Sequence, residues 1–369
     1  MPHRLTTPPE GPIRLLSFDG GGIRGLLSLE IALELETQLR RETGNPGLVL
    51  ADHFHYIAGT STGAIIAACL SWGMTVGEVI AMYEEKAAIM FSKAAVWRRL
   101  NEKFDALGLR ETFQAIFAED GQPATMGSEK LRTLLLVVTR NASSGSPWPL
   151  TNNPLAKYNV PSMPGSNLNF PIWQVLRAST AAPTYFPPEV IEITDESTGK
   201  VSRCAFEDGG ITPYNNPAFL LYLKATLPEY HLCWPDGAER MSLVSIGTGI
   251  VPAGRKKLEF NIMADSKTVP MSLHNGIAQH QDLMCRLAGE CRFGAPLDGE
   301  VGDLIHGPKP GARFLYARYN LTFAAKEIQE ARRLSKQGFT LDNVDLMQYL
   351  RELGRGYASA NVRLAHVTG

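Results

Sequence analysis

The sequence of 369 residues has no excess of charge of one sign, since 36 Lys and Arg residues stand against 37 Asp and Glu residues. This balance argues against binding to a nucleic-acid polymer and against electrostatic anchoring to an anionic membrane, because both favour basic surfaces. The five cysteines are scattered and include no CxxC pair. Neither a disulfide framework nor a zinc site is therefore expected.

Long hydrophobic runs are also missing from the chain. The most apolar stretch, residues 57–76, is interrupted by Gly, Ser and Thr, so its continuous apolar part is too short to span a bilayer. The first twelve residues contain no apolar signal-peptide core. These features predict a cytoplasmic protein whose contact with any membrane would be peripheral.

Short, apolar, β-branched segments alternate with segments of helical periodicity along the first two thirds of the chain. The predicted interior strands are residues 13–18, 54–58, 134–139 and 241–246. Strands alternating with helices predict an α/β fold in which helices cover both faces of a mostly parallel sheet. We expect residues 12–250 to form the catalytic core and residues 251–369 to form a mainly helical C-terminal extension packed on it. A long loop is expected at residues 141–170, which are rich in Pro, Asn and Ser.

A G-x-S-x-G sequence follows the second predicted strand, as Gly59-Thr60-Ser61-Thr62-Gly63. This pattern between a strand and a helix is typical of a nucleophile elbow, in which a tight turn presents the serine hydroxyl above the sheet. The N-terminus of the following helix would stabilise negative charge that develops beside it. Ser61 is therefore the candidate nucleophile, and the alternative is a glycine turn with an idle serine.

A second glycine-rich turn, DGGGIRG at residues 19–25, follows the first predicted strand. Its glycine spacing also matches a dinucleotide-binding fingerprint, but that site needs an acidic residue after the second strand, where this chain has GTSTG. We favour an oxyanion hole formed by the backbone N–H groups of Gly20, Gly21 and Gly22. Arg24 would anchor this loop or contact a lipid phosphate, or it is simply a surface arginine.

A serine nucleophile needs a base, and the sequence offers two kinds. Five histidines follow the elbow: His231, His274, His280, His306 and His366. None of them lies in a recognisable strand-end turn. Asp208 does, since it begins the sequence Asp208-Gly209-Gly210 after a predicted strand. A carboxylate can accept the serine proton directly, so Asp208 is the candidate base, although a DGG sequence by itself can also be an ordinary tight turn.

The three turns, in this order, resemble the patatin-like phospholipase family. Further likeness lies in residues 178–183, 186–187, 215–217 and 245–249, so that the resemblance covers about residues 13–249. It implies a three-layer α/β fold, a Ser61–Asp208 dyad without histidine, and an oxyanion hole at Gly20, Gly21 and Gly22. It implies no metal and no cofactor. The expected substrates are acyl esters of membrane phospholipid, lysophospholipid or galactolipid.

Bacterial members of this family resemble the chain in its length and in residues 148–154, WPLTNNP. Such members include antiphage effectors that a cyclic dinucleotide activates. Activation by a cyclic dinucleotide, together with a homo-oligomeric state, therefore stays open as one interpretation. The other interpretations are an unregulated carboxylesterase of lipid metabolism and a catalytically idle lipid-binding protein.

Overall fold

The computed structural model describes residues 5–91, 105–160, 162–163, 165–183, 185–195, 198–252 and 262–367. Within this part, nine strands form one central sheet and two short strands form a separate hairpin. The sheet strands are β1 (Ile13–Phe18), β2 (Tyr56–Thr60), β5 (Leu134–Asn141), β6 (Pro147–Thr151), β7 (Glu189–Asp195), β8 (Lys200–Asp208), β9 (Met241–Ile246), β10 (Glu290–Phe293) and β11 (Leu315–Tyr319). The hairpin strands are β3 (Ala118–Glu119) and β4 (Gln122–Pro123).

The strand order of the sheet is β10-β11-β9-β1-β2-β5-β8-β7, with β6 also paired to β5. The first six strands in this order, from β10 through β1 to β5, are parallel to one another. Strands β6 and β8 are antiparallel to β5, and β7 is antiparallel to β8. The prediction of a mostly parallel α/β sheet is therefore confirmed. Phe18 at the end of β1 pairs with Gly59 on one side and with Ile246 on the other. The turns that follow β1, β2 and β9 consequently lie side by side.

Ten α-helices of the described residues surround the sheet. They are α1 (Gly25–Thr43), α2 (Leu50–His53), α3 (Thr62–Ser71), α4 (Val76–Phe91), α5 (Asp105–Ile116), α6 (Ile172–Ser179), α7 (Ala218–Thr226), α8 (Ile262–Ala288), α9 (Ala325–Leu334) and α10 (Met347–Asn361). None of them is both long enough and apolar enough to cross a membrane. Helix α1 ends at Gly44, whose φ of 66° is the left-handed conformation that commonly ends helices.

Buried apolar side chains pack on both faces of the sheet. Because side chains alternate along a strand, Leu16 and Phe18 of β1 join one core, and Ile13 and Leu15 join the other. Helices α1 and α3 contribute to the first core and helix α7 to the second. The interior strands are apolar on both faces for this reason.

Two regions differ from what the sequence predicts. After residue 250, the described chain contains helices α8, α9 and α10 and also strands β10 and β11, which extend the central sheet beyond β9. The expected long loop at residues 141–170 instead contains β6, and several asparagines of the described segment after β6 are buried. Asn152 accepts a hydrogen bond from the backbone of Leu135, and Asn159 donates to the carbonyl of Thr151. These bonds satisfy the backbone of a segment whose Pro and Asn content is typical of a loop.

Candidate active site

Ser61 lies in the turn between β2 and α3, with φ of 54° and ψ of −123°. This conformation is unfavourable for a residue with a side chain, and functional sites often retain such strain. A Cβ atom on Gly59 would collide with the backbone of Gly63, and one on Gly63 would collide with the carbonyl of Phe18. The two elbow glycines therefore lie where backbone segments approach too closely for any side chain. Ser179 helps to hold this turn, since its hydroxyl oxygen accepts a hydrogen bond from the Ser61 N–H at 2.9 Å.

Asp208 ends β8, and its carboxylate is directed at Ser61. The Ser61 hydroxyl donates to Asp208 Oδ2 at 2.7 Å, and the Gly210 N–H donates to Asp208 Oδ1 at 2.7 Å. A Cβ on Gly209 would collide with the carbonyl of Val138, so only glycine lets this turn lie against β5. The strand end, the glycine turn and the elbow together hold a carboxylate at hydrogen-bond distance from a serine hydroxyl.

Burial sets the electrostatics of this carboxylate. Asp208 is 6% exposed, and desolvation raises its pKa from 3.8 to about 6, partly opposed by the hydrogen bonds from Ser61 and Gly210. The group is therefore ionised at neutral pH but more basic than an exposed aspartate. These are the properties that a general base near neutral pH requires.

The DGGGIRG loop leaves β1 beside the elbow. The Gly20 N–H donates to the carbonyl of Asn215 at 3.1 Å, so it is occupied. Gly21 and Gly22 line the same cavity as Ser61, and no acceptor for their N–H groups occurs among the described residues. Gly22 has φ of 58°, and its missing side chain makes room for the carbonyl of Leu341. Of the three glycines predicted to form the oxyanion hole, only Gly21 and Gly22 therefore keep a free N–H among the described residues, and their role as oxyanion donors stays a prediction.

A cavity of about 820 Å³ opens over Ser61 and Asp208. We call it the dyad cavity. Most of its other walls are apolar: Ile65, Met90, Phe91, Leu109, Ala182, Tyr185, Phe186, Ile211 and Leu341. An apolar pocket with a few convergent polar groups is typical of a site for a largely apolar small molecule.

A family model described as "Patatin-like phospholipase" matches residues 16–222, which is more than half of the chain. The chain belongs to the patatin-like phospholipase family. The matched region includes the glycine-rich loop from Gly20 onward, the elbow around Ser61 and the turn at Asp208. Helices α8, α9 and α10 and strands β9, β10 and β11 lie outside it.

Curated relatives of this patatin-like chain differ in what their names state. "Probable inactive patatin-like protein 9" of Arabidopsis thaliana is 28% identical over 251 residues, 64% of this chain and 60% of that protein. A "cGAMP-activated phospholipase" of Vibrio cholerae is 28% identical over 234 residues, 58% of this chain and 60% of that protein. The chain thus spans about 60% of the length of these relatives. Among solved structures, VipD from Legionella pneumophila matches with a TM-score of 0.34 at 13% identity, over 94% of this chain and 70% of that one.

Two charged residues of the DGGGIRG loop are buried and hold this loop in place. Asp19 forms a bidentate ion pair with Arg318 of β11, at 2.8 and 2.5 Å, an interaction between residues far apart in the sequence. Arg24 is 1% exposed and donates from Nη1 to the carbonyl of Gly249 at 3.2 Å. This contact agrees with a loop anchor, and the burial of Arg24 argues against an ordinary surface arginine.

Two residues that lack a predicted role contact the DGGGIRG loop, and a third lines the cavity beside it. Asn215 and Thr248 both donate to the carbonyl of Gly20, at 3.4 and 3.0 Å. His274 of α8 lines the dyad cavity, and its Cε1 lies 3.7 Å from where a Cβ of Gly210 would be. The sequence marks Asn215 and Thr248 only by their place after a DGG and a strand, and it gives no signal that singles out His274 from the other histidines.

A second cavity, of about 1000 Å³, adjoins the dyad cavity, and Asn215 and His274 line both. Its charged walls are Asp19, Arg24, Asp282, Arg286 and Arg318. Both aspartates are ion-paired, Asp19 with Arg318 and Asp282 with Arg286 at 2.7 Å. Burial lowers the pKa of Arg24 to about 10, so its guanidinium is charged at neutral pH. Since no carboxylate lies within ion-pair distance of Arg24 in the described chain, the walls carry one uncompensated positive charge.

No group of three His, Cys, Asp or Glu side chains among the described residues is arranged as metal ligands would be.

Proposed function

We propose that this protein hydrolyses fatty-acyl esters of membrane phospholipids or lysophospholipids, with Ser61 as nucleophile and Asp208 as base. The observation that carries the proposal is the direct hydrogen bond of 2.7 Å from the Ser61 hydroxyl to the Asp208 carboxylate. A nucleophile hydrogen-bonded to a base of suitable pKa is the arrangement expected for acyl transfer. The apolar walls of the dyad cavity provide surface for an acyl chain.

The reaction follows from this geometry in two balanced halves. Ser61 Oγ attacks the ester carbonyl while Asp208 Oδ2 accepts the hydroxyl proton, and the N–H groups of Gly21 and Gly22 stabilise the resulting oxyanion. The tetrahedral intermediate then expels the alcohol, which takes the proton from Asp208 and leaves an acyl-serine. In the second half, Asp208 removes a proton from water, whose oxygen attacks the acyl carbon. Collapse releases the fatty acid, and Asp208 returns its proton to Ser61.

A cyclic dinucleotide is the second part of the proposal, as an activator that would make the protein an antiphage effector degrading membrane phospholipid. Support comes from the Vibrio cholerae relative and from a "cGAMP-activated phospholipase" of Escherichia coli, which is 29% identical over 221 residues. The second cavity also supports it, because the uncompensated charge of Arg24 favours an anionic occupant such as a phosphodiester. A homo-oligomeric active form belongs to the same proposal.

The test is product analysis with phospholipid vesicles. Purified protein should release free fatty acid and the corresponding lysophospholipid, identified by mass spectrometry, and cGAMP should raise the rate at least tenfold. Full activity without nucleotide, unchanged by cGAMP, would leave an unregulated acyl hydrolase. The absence of any product from phospholipid, lysophospholipid, galactolipid or chromogenic esters, with and without cGAMP, would favour a catalytically idle lipid-binding protein.

The raised pKa of Asp208 predicts the pH dependence of the reaction. Because the base must be ionised, kcat/KM should be constant near neutral pH and fall below a pKa of about 6, approaching tenfold per pH unit. An exposed aspartate would keep the rate constant down to about pH 4. Hydrolysis of a soluble ester from pH 4.5 to 9 measures this, and a rate that is still unchanged at pH 4.5 would contradict the assigned base.

A further inference from the structure

The segment that follows β6 has polar side chains inside and apolar side chains outside. Between residues 152 and 167, the buried residues of the described chain are all polar: Asn152, Asn153, Asn159, Ser166 and Asn167. The large apolar residues of the same segment are 38 to 53% exposed, and we call these four the apolar loop surface: Leu155, Tyr158, Val160 and Met163. Soluble proteins usually bury apolar side chains and expose polar ones. A cluster with the opposite arrangement indicates that another apolar phase or molecule covers it.

Hydrogen bonds of the buried amides hold the backbone of this segment. Asn159 donates to the carbonyls of Thr151 and Asn153, at 2.7 and 2.6 Å. Asn167 donates to Asn159 Oδ1 at 3.0 Å, and the backbone N–H of Asn167 donates to the carbonyl of Tyr158 at 3.0 Å. Because amides occupy the space beneath the segment and satisfy its backbone, the apolar side chains between them are left at the surface. Their exposure is therefore part of the fold.

The apolar loop surface adjoins the end of the sheet that carries the dyad. Tyr158 stacks on Trp148 with ring centroids 6.4 Å apart, and Trp148 contacts Phe206 edge-on at 5.9 Å. Phe206 lies two residues before Asp208 in β8. Thr139 of β5 pairs with Trp148 on one side and with Asp208 on the other, so a single strand separates Trp148 from the base. Lipid that contacts Tyr158 would therefore lie at the same end of the sheet as the dyad.

The sequence on both sides of the apolar loop surface lacks acidic residues. No Asp or Glu lies between Glu129 and Glu189, although the chain has 37 of them among 369 residues. Lys157 is exposed within the segment, and its ammonium lies 5.4 Å from the centre of the Tyr158 ring. Lys and Tyr combine an apolar body with a polar end, which suits the boundary between lipid headgroups and acyl chains, whereas lipid phosphates would repel a carboxylate. A phospholipid surface therefore matches both the apolar character and the charge of this region.

We propose that the apolar loop surface, with Lys157 beside it, docks the protein on the surface of a phospholipid bilayer. The four apolar side chains enter the boundary between headgroups and acyl chains, and the Lys157 ammonium stays at the level of the phosphates. Most of the binding comes from the apolar side chains, since one lysine adds little in a chain of balanced charge. This inference rests on the proposed hydrolysis of membrane phospholipid, because docking then brings the dyad cavity to its substrate.

The test compares a double variant, Leu155→Gln with Met163→Gln, with a matched control, Leu287→Gln with Leu334→Gln. Leu287 and Leu334 are 56 and 46% exposed and lie in α8 and α9, away from the apolar loop surface in the sequence. Co-sedimentation with vesicles of phosphatidylethanolamine and phosphatidylglycerol, with and without cGAMP, measures binding. The double variant should bind about tenfold more weakly than wild type, and the control should bind as wild type does. Phospholipid hydrolysis should fall with binding, whereas hydrolysis of soluble p-nitrophenyl butyrate should stay within about twofold of wild type.

Lys157→Gln provides a second measurement if the double variant does not fold. It should weaken binding about fivefold for vesicles that contain phosphatidylglycerol and leave binding to pure phosphatidylcholine unchanged. The inference is overturned if wild type does not bind vesicles, or if the double variant, or Lys157→Gln in its place, binds within about twofold of wild type. It is also overturned if the double variant dissociates an oligomer, seen by analytical ultracentrifugation, while vesicle binding is unchanged, because the surface would then join two copies of the chain. Vesicle binding through this surface without release of fatty acid would instead reject the proposed hydrolysis, which is a distinguishable outcome.

Discussion

Ser61→Ala is expected to lower kcat for ester hydrolysis by a factor on the order of 10⁴ or more. Without Oγ, no acyl-serine can form, and the glycine N–H groups and the apolar cavity can support only slow attack by water. The variant should still bind lipid, because the dyad cavity keeps its apolar walls. Hydrolysis of p-nitrophenyl butyrate measures the loss, and labelling with a fluorophosphonate should occur in wild type only. Labelling that persists in Ser61→Ala would place the nucleophile elsewhere.

Ser61→Gly is the matched control for folding. Both variants lack the nucleophile, but only glycine adopts the observed φ of 54° without strain from a side chain. Ser61→Gly should therefore be more stable than Ser61→Ala by about 1 kcal/mol, measured by chemical denaturation. Equal inactivity together with this difference in stability would separate the chemical role of Ser61 from the strain of the turn.

The interior of the fold was predictable because glycines mark the ends of apolar strands. Strands β1 and β9 occur at the predicted residues, and β2 and β5 differ from prediction by a few residues at their ends. Strand β11 was not predictable for a physical reason. It contains Arg318, which resembles a surface residue in the sequence but is buried because Asp19 neutralises it. Such a pair can be identified only after the sheet brings β1 and β11 to either side of β9.

The candidate site, like the fold, could be predicted from the sequence only in part. Ser61 and Asp208 could be selected because each lies in a glycine turn whose geometry is local. The residues that hold the Gly20 carbonyl are contributed by segments close to each other only in the fold: Asn215 after β8 and Thr248 after β9. Periodicity and local motifs carry no information about such contacts. The N–H of Gly20 is likewise occupied by a residue that is distant in the sequence, the carbonyl of Asn215. Because the sequence does not show this contact, it predicts all three glycines as donors.

Asp208→Asn is expected to be as inactive as Ser61→Ala, with kcat lower by on the order of 10⁴-fold between pH 5 and 9. Asparagine keeps the size of the side chain and can accept the Gly210 N–H, but its amide cannot take the Ser61 proton. In a Ser–His–Asp triad, the aspartate only orients a histidine, and a histidine variant would be as inactive as the serine variant. The double variant of Ser61 and Asp208 should lose no more activity than either single variant, because the pair acts as one unit.

The same substitution should not destabilise the protein at neutral pH. The folded pKa of Asp208, about 6, lies above the unfolded value of 3.8, so the folded state binds this proton more tightly. The ionised carboxylate therefore lowers the free energy of unfolding as pH rises from about 4 to 6, by about 3 kcal/mol at pH 7. Asn carries no charge, so Asp208→Asn should unfold at an equal or higher denaturant concentration than wild type at pH 8, and this advantage should shrink at pH 4.5. Activity that survives in a stable Asp208→Asn, with an inactive but folded His274 variant, would replace the dyad by a histidine-dependent mechanism.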